Sequence, residues 1–261
     1  MFRDNGHDEV AILERETTRA RTSGKSSGRG RRRGTRMRRF FRENGLSLAA
    51  FGIFLICLVG QAVTGLHEYN ADQREHGRPA VGAAQYLRSG HFIEVTFENW
   101  ESEFLQMAAF VVLTVMLRQK GSPESKALVG EEEVDEDPRD VLRAPQKSAK
   151  APWPVRRGGL ALKLYEHSLS LALLLLFVAS FVLHAVGGAD RYNEEQLIHG
   201  GTAMSTLAYI GTSRFWFESF QNWQSEFLSV GALFVLTIWL RERGSPQSKP
   251  VAAPHSQTGA A

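Results

Sequence analysis

The chain has 261 residues and a formal net charge of +3. That length suits one or two soluble domains, but the bulk values conceal a strong segregation of apolar, basic and acidic residues along the chain. The single cysteine, Cys57, excludes an intrachain disulfide and leaves the redox compartment unread. It sits in an apolar run, where it reads as a small apolar residue.

Residues 1–42 form a basic arm. Between Arg19 and Arg42 there are eleven Arg or Lys and no acid, with Gly and Ser interspersed. Such a segment buries too little apolar surface to fold alone, so it is expected to be a disordered cytoplasmic arm. Two partners are considered for it. Anionic lipid headgroups would gain about 1 kcal/mol per basic residue near the surface. Nucleic acid is not expected, because only Phe40 and Phe41 interleave aromatics with the charge. Arg38-Arg39-Phe40-Phe41 has a weak likeness to a twin-arginine export signal, but no small-residue cleavage site follows.

The first uncharged apolar run, residues 46–64, is long enough for a hydrocarbon core of about 30 Å. A polar outer loop follows at 66–98, and a second span is predicted over 99–117. Arg118 and Lys120 close it. Gly121 suits the left-handed position after a helix, and Pro123 prevents continuation. Residues 127–165, with the run Glu131-Glu132-Glu133-Val134-Asp135-Glu136-Asp137, are expected to be a disordered linker. A third span is predicted at 168–186 and a fourth at 223–240. The fourth is entered through Phe215, Trp216, Phe217, Phe220 and Trp223, an aromatic belt of the kind found at headgroup depth. A polar tail closes the chain at 250–261.

Residues 43–126 align without a gap on 166–249, at a constant shift of 123. Of the 84 pairs 36 are identical, which identifies a tandem duplication. Two spans per copy make the copies parallel rather than inverted. Lys and Arg are concentrated in the arm and the linker, whereas residues 66–98 carry three and 187–221 carry two. Both termini are therefore expected in the cytoplasm and both repeated loops outside. The expected fold class is all-α: a polytopic membrane protein with four transmembrane helices in two tandem repeats, 43–126 and 166–249.

Asn99 and Glu103 lie one helical turn apart on one face, with Gln106 continuing it. Asn222 and Glu226 repeat the arrangement. Glu103 precedes Arg118 by 15 residues, about 22 Å along a helix, and so lies in the outer leaflet. Gln61 and His184 occupy matching positions one turn inside the outer ends of spans one and three. Glu103, Glu226, His184, Gln61, Asn99 and Asn222 thus form a candidate polar cluster. Its structural reading is a set of interhelical hydrogen bonds. Its functional reading is a vestibule for a proton, cation or solute, since ionised carboxylates at such depth require a partner or water. A metal site is the weaker reading, because only His184 and the two Glu converge and no HExxH spacing is present. The outer loops share Tyr-Asn-x-x-Gln-x-x-His-Gly, which makes His76, His199, Tyr69 and Tyr192 candidate ligand contacts; the structural reading is a folded cap.

The motifs carry a resemblance when taken together. Arg42-Glu43-Asn44-Gly45-Leu46-Ser47-Leu48, the Tyr-Asn-x-x-Gln-x-x-His-Gly loop, Asn99-Trp100-Glu101-Ser102-Glu103-Phe104-Leu105 and Gly121-Ser122-Pro123-Glu124-Ser125-Lys126 resemble an uncharacterised family of bacterial integral membrane proteins, a domain of unknown function. The resemblance covers roughly residues 40–250. It implies a bacterial cytoplasmic membrane but no activity and no cofactor. The second copy has Gln224 where the first has Glu101, and Gln247 where it has Glu124, so those two acids are not expected to be essential.

The leading expectation is a non-enzymatic protein, structural or envelope-associated, or an accessory subunit. The first alternative is a proton, cation or small-solute pathway, most simply in a homo-oligomer. The second is a membrane enzyme or metal-binding protein. No Gly-rich phosphate loop, nucleophile elbow or CxxC pair argues for a specific reaction.

Overall fold

The structure, a computed structural model, describes residues 36–143 and 150–259. The basic arm therefore lies outside the described residues up to position 35. Among the described residues the chain is helical, with no strand. It divides into two compact units, residues 1–64 and 65–261. Helix α1 (Gly45–Glu75) begins in the first and ends in the second. The second unit continues with α2 (Ala83–Tyr86), α3 (Gly90–Met116), α4 (Ser168–Ile198), α5 (Thr206–Ile210) and α6 (Ser213–Trp239).

In the first unit, α1 presents large apolar side chains outward, among them Phe51, Ile53 and Ile56. Two helices, α1 and α4, are long and apolar enough to cross a membrane. Both run past the predicted span ends. Residues expected in the outer loops, 66–75 and 187–198, remain helical because nothing breaks the helix before Gly77 and Gly200. There φ is +70° and +72°, a backbone region that favours glycine. In each case the next residue bonds back across the last turn: Arg78 N to Gln73 O and Gly201 N to Gln196 O, both 2.7 Å. This closure satisfies the free carbonyls of a helix end and accounts for the His-Gly step of the repeated motif. The Asn of that motif clamps the following loop. Asn70 bonds both N and O of Val81, and Asn193 does the same to Met204.

The N-terminal ends of α3 and α6 are set by caps. Ser89 accepts from Phe92 N and Thr212 from Phe215 N, each at 3.3 Å, so one free donor of each first turn is satisfied. Within the second unit α3 packs along α4, and α6 packs on α3. The α3–α4 crossing is a backbone contact. A Cβ at Gly187 would fall 2.5 Å from Glu94 N, and one at Gly90 would fall 2.6 Å from Arg191 N. Two tyrosines seat on glycines in the same way. Tyr209 of α5 occupies the space a side chain at Gly188 would need, and Tyr86 of α2 the space at Gly65. Small residues at such crossings permit close helix approach.

At the other end, the Gly-Ser-Pro segments turn at Gly121 and Gly244, both with φ +87°. Ser125 and Ser248 then accept backbone N–H groups from Gln119 and Glu242, each at 2.9 Å. The lysine that follows holds distant chain: Lys126 pairs with Asp135, and Lys249, buried, donates to the carbonyls of Pro254, His255 and Gln257. The linker expected without structure differs in its described part. It carries a 3₁₀ turn at Glu133–Asp135 and short helices Pro138–Arg143, Trp153–Arg157 and Gly159–Glu166. The physical reason is local: the Lys126–Asp135 pair anchors the first turn, and Val155 and Leu162 bury each other together with Ala151.

Candidate functional site

His184 stands at the centre of the second unit's polar interior. It lies on α4, fully buried, with its ring stacked on Phe215 at 4.8 Å between centroids. Its Nδ1 meets Oε2 of Glu101 at 2.8 Å, and Glu101 is also fully buried. The other oxygen of Glu101 accepts the indole N–H of Trp223 at 2.9 Å. On the opposite side of the ring, Nε2 faces Oε2 of Glu218 at 3.7 Å and Oε2 of Glu98 at 3.9 Å. Both separations exceed a hydrogen bond, and Nε2 has no hydrogen-bond partner.

Each carboxylate has a structural reason for its position. Glu94, Glu98 and Glu101 recur at i, i+4 and i+7 of α3 and therefore form one stripe facing α4. Glu218 comes from the N-terminal turns of α6, ahead of Trp223 on the same helix. Its Oε2 accepts the Tyr209 hydroxyl at 2.8 Å and its Oε1 accepts Arg214 Nε at 3.1 Å. Arg214 continues to Glu195 at 2.6 Å. Glu94, buried, is paired with Arg191 at 2.7 Å and lies 3.4 Å from the Tyr209 hydroxyl. Burial pushes the Tyr209 phenol well above its ordinary range, and its bond to Glu218 adds to the shift, so it stays a donor.

The residues named from sequence are distributed differently. His184 is the centre. Glu101, set aside because Gln224 replaces it in the second copy, is the direct partner of His184. Glu103 is exposed and Glu226 half-buried; the two carboxyls are near enough to interact, but the contacts of His184 are with Glu98, Glu101 and Glu218. Asn99 and Asn222 turn back to carbonyls of their own helices, Val95 and Glu218. Gln61 belongs to the first unit, on α1. The loop residues gather where α1 and α4 end. His76 and His199 meet edge to face at 6.1 Å, each Nδ1 against a carbonyl one turn back. Tyr69 donates to Glu194, which also receives Gln73 and Arg78. Tyr192 lies under Arg214.

Glu98, His184 and Glu218 offer ligand atoms all within 4.8 Å of one another, a geometry able to hold a metal ion. Sequence reasoning missed Glu94, Glu98 and Glu218. The i, i+4, i+7 spacing of Glu94, Glu98 and Glu101 was the available signal.

Comparison with known proteins gives a family and no activity. The family described as domain of unknown function DUF6766 matches residues 37–260, and the chain belongs to it. No curated protein and no solved structure matches the chain.

Proposed function

We propose that this member of the DUF6766 family is a multi-pass protein of the bacterial cytoplasmic membrane that holds a cation in its buried carboxylate–histidine cluster. In this reading α3 and α6 join α1 and α4 as spans, in two tandem repeats, with both termini cytoplasmic and residues 76–89 and 199–212 outside. Apolar side chains exposed on the inner halves of α3 and α6, including Val112, Val115, Leu233 and Leu236, support a lipid-facing role. A reporter fused at residue 80 tests the orientation; a cytoplasmic signal would overturn it.

One observation carries the cation reading. A fully buried imidazole has one nitrogen bonded to Glu101 and the other facing two carboxylates without a hydrogen bond. A purely structural network satisfies each buried polar atom, because an orphan costs about 1–3 kcal/mol. Glu98, Glu101 and Glu218 stand about one histidine and Arg214 pairs with Glu218 alone, so a negative charge is left that burial disfavours. A bound ion resolves both.

The test is thermal unfolding of the purified full chain in detergent, with Na⁺, K⁺, Mg²⁺, Ca²⁺, Mn²⁺, Co²⁺ and Zn²⁺ added singly. An ion at 100 times its Kd stabilises by about 2.7 kcal/mol. At least one ion should raise the unfolding temperature of the native chain and not that of Glu98→Gln with Glu218→Gln. If none does, the cluster is structural.

A further inference from the structure

We propose that the cation is a first-row divalent transition metal, bound by Nε2 of His184 and one carboxylate oxygen each of Glu98 and Glu218. This rests on the reading that the cluster holds a cation, and it names which class of cation and which atoms hold it.

Three features select the class. The first is the nitrogen. Magnesium, calcium and the alkali ions take oxygen ligands, whereas an imidazole nitrogen suits zinc, iron, manganese, cobalt or copper. The histidine here is the group at the centre, with its ligating nitrogen free and its side chain fully buried.

The second is the partner on the far side of the ring. Glu101 accepts from Nδ1 at 2.8 Å. That bond keeps a proton on Nδ1 when a metal takes the lone pair of Nε2, which faces Glu98 and Glu218. A metal-ligating histidine characteristically donates its other N–H to a carboxylate, which fixes tautomer and ring orientation. Trp223 holds that carboxylate in turn. Glu218 is likewise oriented, through Tyr209 on the oxygen that faces the histidine and Arg214 on the other.

The third is size. The two nitrogen–oxygen separations are 3.7 and 3.9 Å. An Nε2–H bonded to a carboxylate would draw one oxygen to about 2.8 Å. Ligands about 2.0–2.2 Å from a tetrahedral ion sit about 3.3–3.6 Å apart, so the three ligand atoms, now within 4.8 Å of one another, draw together by up to about 1.5 Å to close the site. Three protein ligands leave a further position open for water or another small ligand. The way in lies past the carboxylates: the side chains of Glu98 and Glu218 are 21% and 18% exposed, against none for His184 and Glu101.

The experiment titrates Co²⁺ into the metal-stripped full chain in detergent and records visible absorption and stoichiometry. One equivalent should bind with a visible d–d spectrum. His184→Gln, Glu98→Gln and Glu218→Gln should each abolish the spectrum. Glu101→Gln should keep one equivalent but weaken it about 10–100-fold. Glu103→Gln should bind as the native chain does. If His184→Gln does not fold, the variants of the less buried Glu98 and Glu218 decide. Stabilisation by Ca²⁺, Mg²⁺, Na⁺ or K⁺ alone, with no Co²⁺ spectrum, overturns the transition-metal assignment and leaves the cation reading standing. A Co²⁺ spectrum unchanged by the Glu98, Glu218 and His184 variants moves the metal elsewhere and overturns the site. No response to any ion overturns both.

Discussion

Trp223 donates its indole N–H to Oε1 of Glu101 at 2.9 Å, joining α6 to α3 across 122 positions of sequence. Read as the start of an aromatic span, Trp223 was an interfacial anchor. In the fold it supplies one of two bonds to a carboxylate with no exposed surface; the other comes from His184. Its body packs among Phe177, Trp216 and Phe220. The residue expected as an anchor is thus also the support of the cluster.

Trp223→Phe keeps most of that packing and removes the donor. A buried acceptor that loses a partner costs about 1–3 kcal/mol, more when it is charged. Unfolding of the detergent-solubilised protein should show a loss of at least that size. Stability equal to the native chain would mean that water replaces the indole and that Glu101 is not sealed in.

The α3–α4 crossing predicts a contrast between glycines. Gly187→Ala places a methyl against Glu94 N and Ile93, where backbone must move. Overpacking of this kind costs about 1–3 kcal/mol. Gly231→Ala, on the exposed surface of α6 with open space around it, should leave stability unchanged or slightly raised. Thermal unfolding of the two variants side by side checks this; equal behaviour would show that the helices do not touch at Gly187.

Lys249 makes a prediction at the other end of the molecule. Its buried ammonium group gathers three carbonyls from residues 254–257, and so ties the closing segment to the Gly-Ser-Pro turn. Lys249→Met retains the aliphatic stem and leaves those carbonyls without their donor. Limited proteolysis should then cleave within residues 250–259 faster than in the native chain, while the helical core stays protected. Unchanged cleavage would show that Gly259 N on Ser122 O suffices to hold the segment.

The apolar runs were legible. The breakers at Gly77 and Gly200 and the caps at Ser89 and Thr212 also leave local marks, because helix ends depend on neighbouring residues, but reading 66–98 and 187–221 as loops passed over them. The site was legible only at His184. Sequence reading weighed the residues that the two copies share, yet the cluster is built where they differ. With the constant shift of 123, Glu94, Glu98 and Glu101 stand against Phe217, Gln221 and Gln224. His184 stands against Gln61, and Glu218 against Val95. Shared residues turned out to set turns and seats: Asn70 and Asn193, Tyr86 and Tyr209, Gly65 and Gly188. A duplication can keep its folding signals twice and its chemistry once, and then identity between copies marks structure rather than function. What no local pattern reveals is which face of α3 meets which face of α4. That is decided by Gly90 and Gly187, whose backbones touch.

The sharpest comparison sets two pairs of acids against each other. Glu103 and Glu226 are the symmetric pair, identical in both copies and placed within the apolar part of α3 and α6. Glu98 and Glu218 are the asymmetric pair, which faces His184. If the cation were held by symmetry, Glu103→Gln with Glu226→Gln would abolish ion-dependent stabilisation. The geometry gives the opposite outcome. That double variant should respond to added ion as the native chain does, with intrinsic stability unchanged or somewhat raised, since two neighbouring carboxylates no longer repel. Glu98→Gln with Glu218→Gln should remove the response, because the oxygens facing Nε2 lose their charge. Ion-dependent unfolding temperature, measured for both double variants in one detergent, separates the two. Loss of the response in the Glu103 and Glu226 variant alone would move the site from the α3–α4 stripe to the symmetric pair.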